Sequence, residues 1–517
     1  MIFRGPFPEV TIPEIPLTPF VMRRAQELGE KPALIEAPTG RVVTYSELAK
    51  SISCVAGNLA KRGFKKGDVV GILSPNVPEY AMAFHGVASL GGINTTLNPL
   101  YTEHEIAQQL KDAHARFLVT AADFIDKARA AAKATQIEEL FVFGEAGQGL
   151  VGATPFLELL TGDLETPVVE INPREDLVAL PYSSGTTGLP KGVMLTHHNL
   201  VANLRQMEGL CYFAENDRLI CVLPLFHIYG LVVILNMGLY TGATIVMMPR
   251  FDLEQFLKTV SKYGVTMAHL VPPIVLALSK NPIVDDYDLS TLRTIFSGAA
   301  PLGESLTRAC MERLKCEIRQ GYGMTETSPV THSSPPDRER IKFGSVGVCA
   351  PSTECKVVDL ETGVALGPNQ EGEICVRGPQ IMKGYLNRPD ATTQTIDSEG
   401  WLHTGDIGYA DQDGHFYIVD RAKELIKYKG FQVPPAELEA VLLTHEAIAD
   451  AAVIPCPDDE AGEVPKAYVV LRCDATPEEI MSYVESRVAP HKKLRGVEFI
   501  DKIPKSPSGK ILRRILV

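Results

Sequence analysis

No run of this 517-residue chain approaches the ~20 consecutive apolar residues that a membrane-spanning helix needs. The best candidate, residues 230–239, is half that length and carries Asn236. The opening Met-Ile-Phe-Arg-Gly-Pro-Phe-Pro lacks the basic-then-apolar layout of a secretion signal, and the final Arg-Ile-Leu-Val lacks a Ser-Lys-Leu-type address. The ten cysteines include no Cys-x-x-Cys and no paired zinc spacing, so reduced thiols and a cytoplasmic setting are expected. Positive charge is scarce as well. Lys and Arg number 50 against 63 Asp and Glu, and a net charge of −13 excludes a nucleic-acid surface, which needs basic clusters against phosphate. Internal repeats and low-complexity segments are also missing. What remains is a chain of 45% hydrophobic residues, too long for one core, so two or more globular domains are expected.

The most informative stretch that is present runs Tyr182-Ser-Ser-Gly-Thr-Thr-Gly-Leu-Pro-Lys-Gly192, directly after an apolar, strand-like segment at 177–180. Its glycines let successive N–H groups face one way, its hydroxyls add donors, and Lys191 adds positive charge. Such a loop suits polyphosphate. It is not a Walker A loop, because no Gly-x-x-x-x-Gly-Lys-[Ser/Thr] can be laid over it.

Residues 40–300 alternate short β-rich runs with helical patterns. Thr44-x-x-Glu47 and Thr102-x-x-Glu105 read as capping boxes opening helices, and strands are predicted at 68–73, 115–120, 218–222, 243–248, 265–270 and 292–297. This alternation predicts layered α/β architecture with largely parallel sheets. From about Pro351 the pattern changes to short strands joined by Gly/Asp turns, which reads as a small β-barrel or meander. A Lys-rich α+β segment then follows, with a helix at 436–445. We therefore expect an N-terminal domain over 1–421 made of two α/β subdomains plus the barrel, a hinge at 422–423, and a small mobile C-terminal domain over 424–517.

Three further clusters carry chemistry. In Gln320-Gly-Tyr-Gly-Met-Thr-Glu-Thr327, Gly321 and Gly323 flank Tyr322, whose ring can lie against a flat base. Thr325 offers a hydroxyl to phosphate, and Glu326 is a hard oxygen donor suited to Mg2+. Trp401-Leu-His-Thr-Gly-Asp406 ends in a carboxylate able to hold ribose hydroxyls, with Arg421 following; the two could equally pair as a structural ion pair. Near the end, Pro504-Lys-Ser-Pro-Ser-Gly-Lys510 presents a lysine that could contact two anions at once.

In order and spacing these residues resemble the adenylate-forming superfamily of acyl-CoA synthetases, peptide-synthetase adenylation domains and luciferases. The likeness covers essentially the whole chain. Residues 183–193 and Gly372-Glu-Ile-Cys-Val-Arg-Gly378 are similar to the two signature boxes of 4-coumarate–CoA ligases, nearest to bacterial members, with Val376 where plant sequences usually carry Ile. Lys423-Glu-Leu-Ile-Lys-Tyr-Lys-Gly-Phe-Gln432 resembles the family's hinge and thioester loop.

The resemblance implies an acid–thiol ligase using ATP, Mg2+ and coenzyme A on a small carboxylic acid, working as monomer or homodimer. Ser183, Ser184, Gly185, Thr186, Thr187, Gly188 and Lys191 would bind the β- and γ-phosphates. Gln320, Gly321, Tyr322, Gly323 and Thr325 would bind base and α-phosphate, Glu326 the magnesium, and Asp406 and Arg421 the ribose. Lys510 would serve adenylation. After a swing about Lys423, Lys427, Lys429, Gly430 and Gln432 would serve thioester formation. His227, Tyr229, Ser297, Gly298, Ala299, Gly321 and Val330 would wall the acid, with His227 also catalytic, near the carboxylate and the thiol path. Taken alone, His227 between Phe226 and Ile228 reads as a core histidine.

After Glu326 the chain departs from plant wording, with Thr327-Ser-Pro-Val-Thr331 in place of Ala-Gly-Pro-Val-Leu, which leaves the acid preference open. A medium- or long-chain fatty acyl-CoA synthetase is the alternative. Amino-acid activation is disfavoured because residues 227–229 lack the aspartate such domains place there, and a non-catalytic nucleotide-binding protein is disfavoured because every catalytic position is filled.

Overall fold

Local signals set the first elements of the chain. Thr44 caps the helix Tyr45–Lys61 by accepting from Glu47 N–H at 3.2 Å, while the Glu47 carboxylate accepts from Thr44 N–H at 2.8 Å. Thr102 and Glu105 do the same for Glu103–Asp112. The computed structural model describes all residues except 145–151, 163, 184–189, 211–212, 422–423, 429–430, 459–460, 489, 507–508 and 517, and the side chains of Arg421, Phe431, Gln432 and Arg514.

Four sheets organise the described residues. The first has nine strands. At its centre Ile93–Leu97, Val69–Leu73, Ala115–Ala121 and Glu139–Phe143 run parallel, and Lys191–Thr196 joins antiparallel beside Leu177–Ala179. The second also has nine. Glu317–Gly323, Thr294–Ser297, Met267–Leu270, Arg218–Cys221, Thr244–Met247 and Pro32–Glu36 form its parallel core. Val69–Leu73 and Thr244–Met247 are buried along their whole length, as strands covered on both faces are, whereas Ile93–Leu97 and Glu317–Gly323 carry polar residues.

The third sheet is antiparallel, in the order Phe3–Arg4, Glu354–Val358, Gly372–Arg377, Leu402–Ala410 and Phe416–Arg421. It curls until the Phe3 and Phe416 rings, on its two edge strands, meet edge-on at 5.5 Å. The curl is barrel-like, but no ladder between the edge strands is recorded among the described residues. The fourth sheet, Phe431–Val433, Ile426–Tyr428, Gly462–Leu471 and Ile448–Asp458 with Gly496–Phe499 alongside, packs against the helices Pro435–Leu442 and Pro477–Glu485. Pro435–Leu442 stops short of the 436–445 expected.

Nine cysteines are free thiols, and the tenth, Cys211, lies outside the described residues. No helix is long and apolar enough to cross a membrane among the described residues.

Candidate active site

Parallel α/β sheets place ligands beyond the carboxyl ends of their strands. In the second sheet those ends carry His269 on Met267–Leu270, Ser297 on Thr294–Ser297, and Gly321 to Gly323 on Glu317–Gly323. A cleft of about 750 Å³ opens there, with Ala299, Gly321, Tyr322, Gly323, Asp406 and Lys510 among its lining residues. It has room for a nucleotide.

Tyr322 and Asp406 come from sheets two and three. The Tyr322 hydroxyl donates to Asp406 Oδ2 at 2.6 Å, and Asp406 is 5% exposed. Asp406 and Arg421 are register partners on adjacent strands, so the chain brings their backbones together; the Arg421 side chain lies outside the described residues.

The Glu326 carboxylate is 4% exposed and accepts, at 2.8 Å each, from the hydroxyls of Ser183 and Tyr385. Among the described residues this buried carboxylate has only neutral side-chain donors, an incomplete arrangement that a hard cation would complete. Lys191 Nζ stands 4.8 Å from the centre of the same Tyr385 ring. Tyr385 was missed in the sequence. It arrives because Gly384–Tyr385 pairs with Lys191–Thr196, a partner almost two hundred residues earlier, and no local pattern announces that.

Ser184, Gly185, Thr186, Thr187, Gly188, Lys423, Lys429 and Gly430 lie outside the described residues, as does the Gln432 side chain. Gln320 is buried, and its amide is spent on the backbone of Leu302, which pins the loop after Ser297. Thr325 is half-buried at the start of a short 3-10 turn.

The Lys510 loop reaches the cleft from the C-terminal segment. Ser506 and Lys510 close it, with Ser506 N–H donating to Lys510 O at 2.7 Å and Lys510 N–H to Ser506 Oγ at 3.1 Å. Gly509 holds φ +79°, which favours glycine, and a Cβ there would stand 3.0 Å from Val271 Cγ2. The loop therefore docks closely on the second sheet. Lys510 Nζ lies 3.9 Å from Glu424, which also pairs with Arg513 at 2.5 Å. Arg513 in turn bonds the buried Glu439, whose carboxyl burial raises to about 7. Lys427, exposed on Ile426–Tyr428, is not among the residues lining the cleft.

A second cavity opens off the cleft at Ala299 and Gly321 to Gly323. His227 and Tyr229 enter it from the segment leading into the π-helix Tyr229–Asn236. Tyr229 N–H donates to His227 Nδ1 at 3.3 Å, which leaves the ring proton of neutral His227 on Nε2. Burial lowers this imidazole to about 4, so it is neutral at pH 7. Burial likewise raises the Tyr229 phenol. Its hydroxyl donates to Phe296 O at 3.3 Å, and its ring covers Gly298, where a Cβ would stand 3.0 Å from Tyr229 Cε1. Val330 lines the cavity, whereas Ser297 is buried and does not.

The residues that depart from plant wording, Thr327, Ser328 and Thr331, do not line this cavity, although Pro329 and Val330 between them do. The Thr327 hydroxyl bonds Met324 O and Pro329 O, the Thr331 hydroxyl bonds Tyr322 O, and neither side chain lines the cavity.

Comparison with known proteins agrees with this geometry. The AMP-binding enzyme family matches residues 21–386, and the AMP-binding enzyme C-terminal domain matches 437–510. The chain is 47% identical to 4-coumarate–CoA ligase 1 of Petroselinum crispum, over all of this chain and 96% of the relative. It is equally identical, with the same coverage, to 4-coumarate:CoA ligase 1 of Petunia hybrida. Among solved structures, an anthranilate CoA ligase in complex with anthranoyl-AMP superposes with TM-score 0.90 at 28% identity, covering 98% of this chain and 97% of the other. The o-succinylbenzoate CoA synthetase of Bacillus subtilis with its acyl-adenylate intermediate gives 0.84 at 32%, covering 98% of each. The chain belongs to the AMP-binding enzyme family, alongside the 4-coumarate–CoA ligases, and is an AMP-forming acid–thiol ligase.

Proposed function

We propose that the acid is 4-coumarate or a close hydroxycinnamate. One observation carries this reading. The cavity beside the nucleotide cleft is small, about 90 Å³, and is lined by the rings of Tyr229, Phe213, Phe296 and His269 together with Met207 and Leu210. Flat walls suit an aromatic ring, whereas a fatty chain asks for a long aliphatic tunnel. The 47% identity to plant enzymes named for 4-coumarate supports the same acid, and the fatty acyl alternative is not favoured.

The reaction has two halves. A carboxylate oxygen of the acid attacks the α-phosphorus of ATP, the bond to the β-phosphate bridge breaks, and pyrophosphate leaves. Lys510 serves this half by holding positive charge where carboxylate and α-phosphate, both anionic, must approach. Tyr322 faces the base, Asp406 and Arg421 the ribose, and residues 183–191 the departing phosphates. Glu326 would hold Mg2+, which neutralises phosphate charge when bound. In the second half the CoA thiol, losing its proton, attacks the acyl carbon and AMP departs. One rigid shape cannot provide both a pyrophosphate exit and a pantetheine path. A rotation at Lys423 therefore withdraws Lys510 and presents Lys427, Lys429, Gly430 and Gln432. The free thiols fit a reducing, cytoplasmic setting.

The test is steady-state turnover with ATP and CoA on 4-coumarate, caffeate, benzoate and octanoate. The expected order places 4-coumarate and caffeate first; faster turnover of octanoate than of 4-coumarate overturns the assignment.

A further inference from the structure

None of the residues of the second signature box, Gly372 to Gly378, lines the nucleotide cleft or the acid cavity. Their strand, Gly372–Arg377, pairs instead with Leu402–Ala410, the strand that carries Asp406. The pairing breaks register. Glu373 lies opposite Ile407 and Cys375 opposite His403, so two steps along one strand meet four along the other. Thr404, Gly405 and Asp406 take up the surplus as a bulge, a device that re-aims a side chain. Gly405 holds φ +71° within it.

A bulge takes backbone N–H groups off the strand ladder, and each needs a new acceptor. The Asp406 N–H donates to Thr404 Oγ1 at 3.0 Å, and the Thr404 hydroxyl donates to Ile374 O at 2.7 Å. The Gly405 N–H donates to Glu373 Oε1 at 2.9 Å. The other carboxylate oxygen, Oε2, lies 2.8 Å from His403 Nδ1, so Glu373 grips the bulge at its start and at its tip. Its side chain is 18% exposed. Asp406, one residue beyond that tip, turns into the cleft and meets the Tyr322 hydroxyl.

We propose that Glu373 is a positioning residue for adenylation, its carboxylate setting the Gly405 turn that aims Asp406 at the ribose hydroxyls. It touches no substrate and acts through Asp406. This rests on the ribose role given to Asp406 above. Without an acceptor at that point the Gly405 N–H needs another partner, and the turn shifts with Asp406 next to it. A misplacement of about 1 Å in a positioned site costs up to a hundredfold.

The experiment measures kcat/KM for ATP and for 2′-deoxy-ATP in the wild type, Glu373→Met, Glu373→Gln and Asp406→Ala, with whichever of the four acids above turns over fastest. Methionine keeps the bulk and lacks the oxygen, whereas glutamine keeps an oxygen for the Gly405 N–H. The wild type favours ATP by roughly tenfold or more, the scale of one hydrogen bond to a charged group, and Asp406→Ala removes most of that preference. Glu373→Met loses roughly tenfold or more on ATP, chiefly in KM for ATP, and its preference for ATP falls at least threefold towards that of Asp406→Ala. KM for the acid stays within about threefold, and Glu373→Gln keeps the wild-type preference within about twofold.

A merely structural role would lower both nucleotides alike, so an unchanged preference in Glu373→Met overturns the proposal. So does a loss of preference in Glu373→Gln equal to that in Glu373→Met. If Glu373→Met shows no turnover, Glu373→Asp decides, since its carboxylate stops one methylene short; an unchanged preference there overturns the proposal. A wild type that does not distinguish the two nucleotides, or an Asp406→Ala that keeps the full preference, overturns instead the ribose role of Asp406 on which the proposal rests.

Discussion

The hydroxyl of Tyr322 lies 2.6 Å from Oδ2 of Asp406, and this bond joins the end of a parallel strand to the antiparallel sheet. It fixes both the ring proposed to face the base and the carboxylate proposed to face the ribose. Tyr322→Phe keeps the ring and removes the tie, so KM for ATP rises roughly five- to twentyfold with kcat nearly kept; Asp406→Asn costs more. Initial rates over an ATP series check this.

Glu326, the carboxylate proposed to hold Mg2+, accepts from the hydroxyls of Ser183 and Tyr385. Glu326→Gln raises the Mg2+ concentration for half-maximal pyrophosphate release by about tenfold or more, because an amide oxygen is a weaker ligand for a hard cation. Tyr385→Phe shifts it by less, since the carboxylate survives. A magnesium titration at saturating ATP distinguishes the two.

At Gly298 an added methyl group would press on the Tyr229 ring, 3.0 Å from Cε1. Gly298→Ala narrows the acid slot. KM for 4-coumarate rises about tenfold, the scale of one misplaced methylene in an apolar pocket, while KM for ATP holds. Both constants come from one set of initial-rate measurements.

Buried histidines set an acid limit on stability. Burial lowers His85 to about 3 and His197 to about 4, from an ordinary 6.5, and both touch the short helix Leu17–Val21: His85 Nδ1 lies 3.1 Å from Thr18 Oγ1, and His197 Nδ1 accepts from Leu17 N–H at 3.0 Å. Between pH 6.5 and 4 the unfolded chain binds protons that the folded chain refuses, so stability rises with pH across that window and falls on acidification. Thermal unfolding should show Tm dropping steadily from pH 6.5 to 4.5. His85→Phe should flatten that slope, and an identical slope in this variant would remove His85 from the explanation.

Much of the nucleotide side was legible because its signals are local. The capping boxes at Thr44 and Thr102 need four residues each, and the loop from Gln320 to Thr327 announces its aromatic, hydroxyl and carboxylate in order. Contacts made across the chain were not legible. Tyr385 reaches Glu326 only through strand pairing with Lys191–Thr196, and Phe3–Arg4 joins a sheet built some 350 residues later. His269 reads as one polar residue in an apolar strand until Phe213 and Phe296 are placed on its two faces. Gln320 shows the converse: a motif position whose side chain is consumed by the backbone of Leu302.

Gly509 against Val271 carries Lys510 to the cleft, and the most direct test compares the two half-reactions in Lys510→Ala. The account predicts that carboxylate-dependent pyrophosphate release falls by two or more orders of magnitude, on the order expected for losing a charge that stabilises the transition state, while pre-formed coumaroyl-AMP still reacts with CoA. Lys427→Ala and Gln432→Ala should show the reverse. Pyrophosphate release at the wild-type rate in Lys510→Ala would contradict the role given to Lys510 and the division of labour built on it.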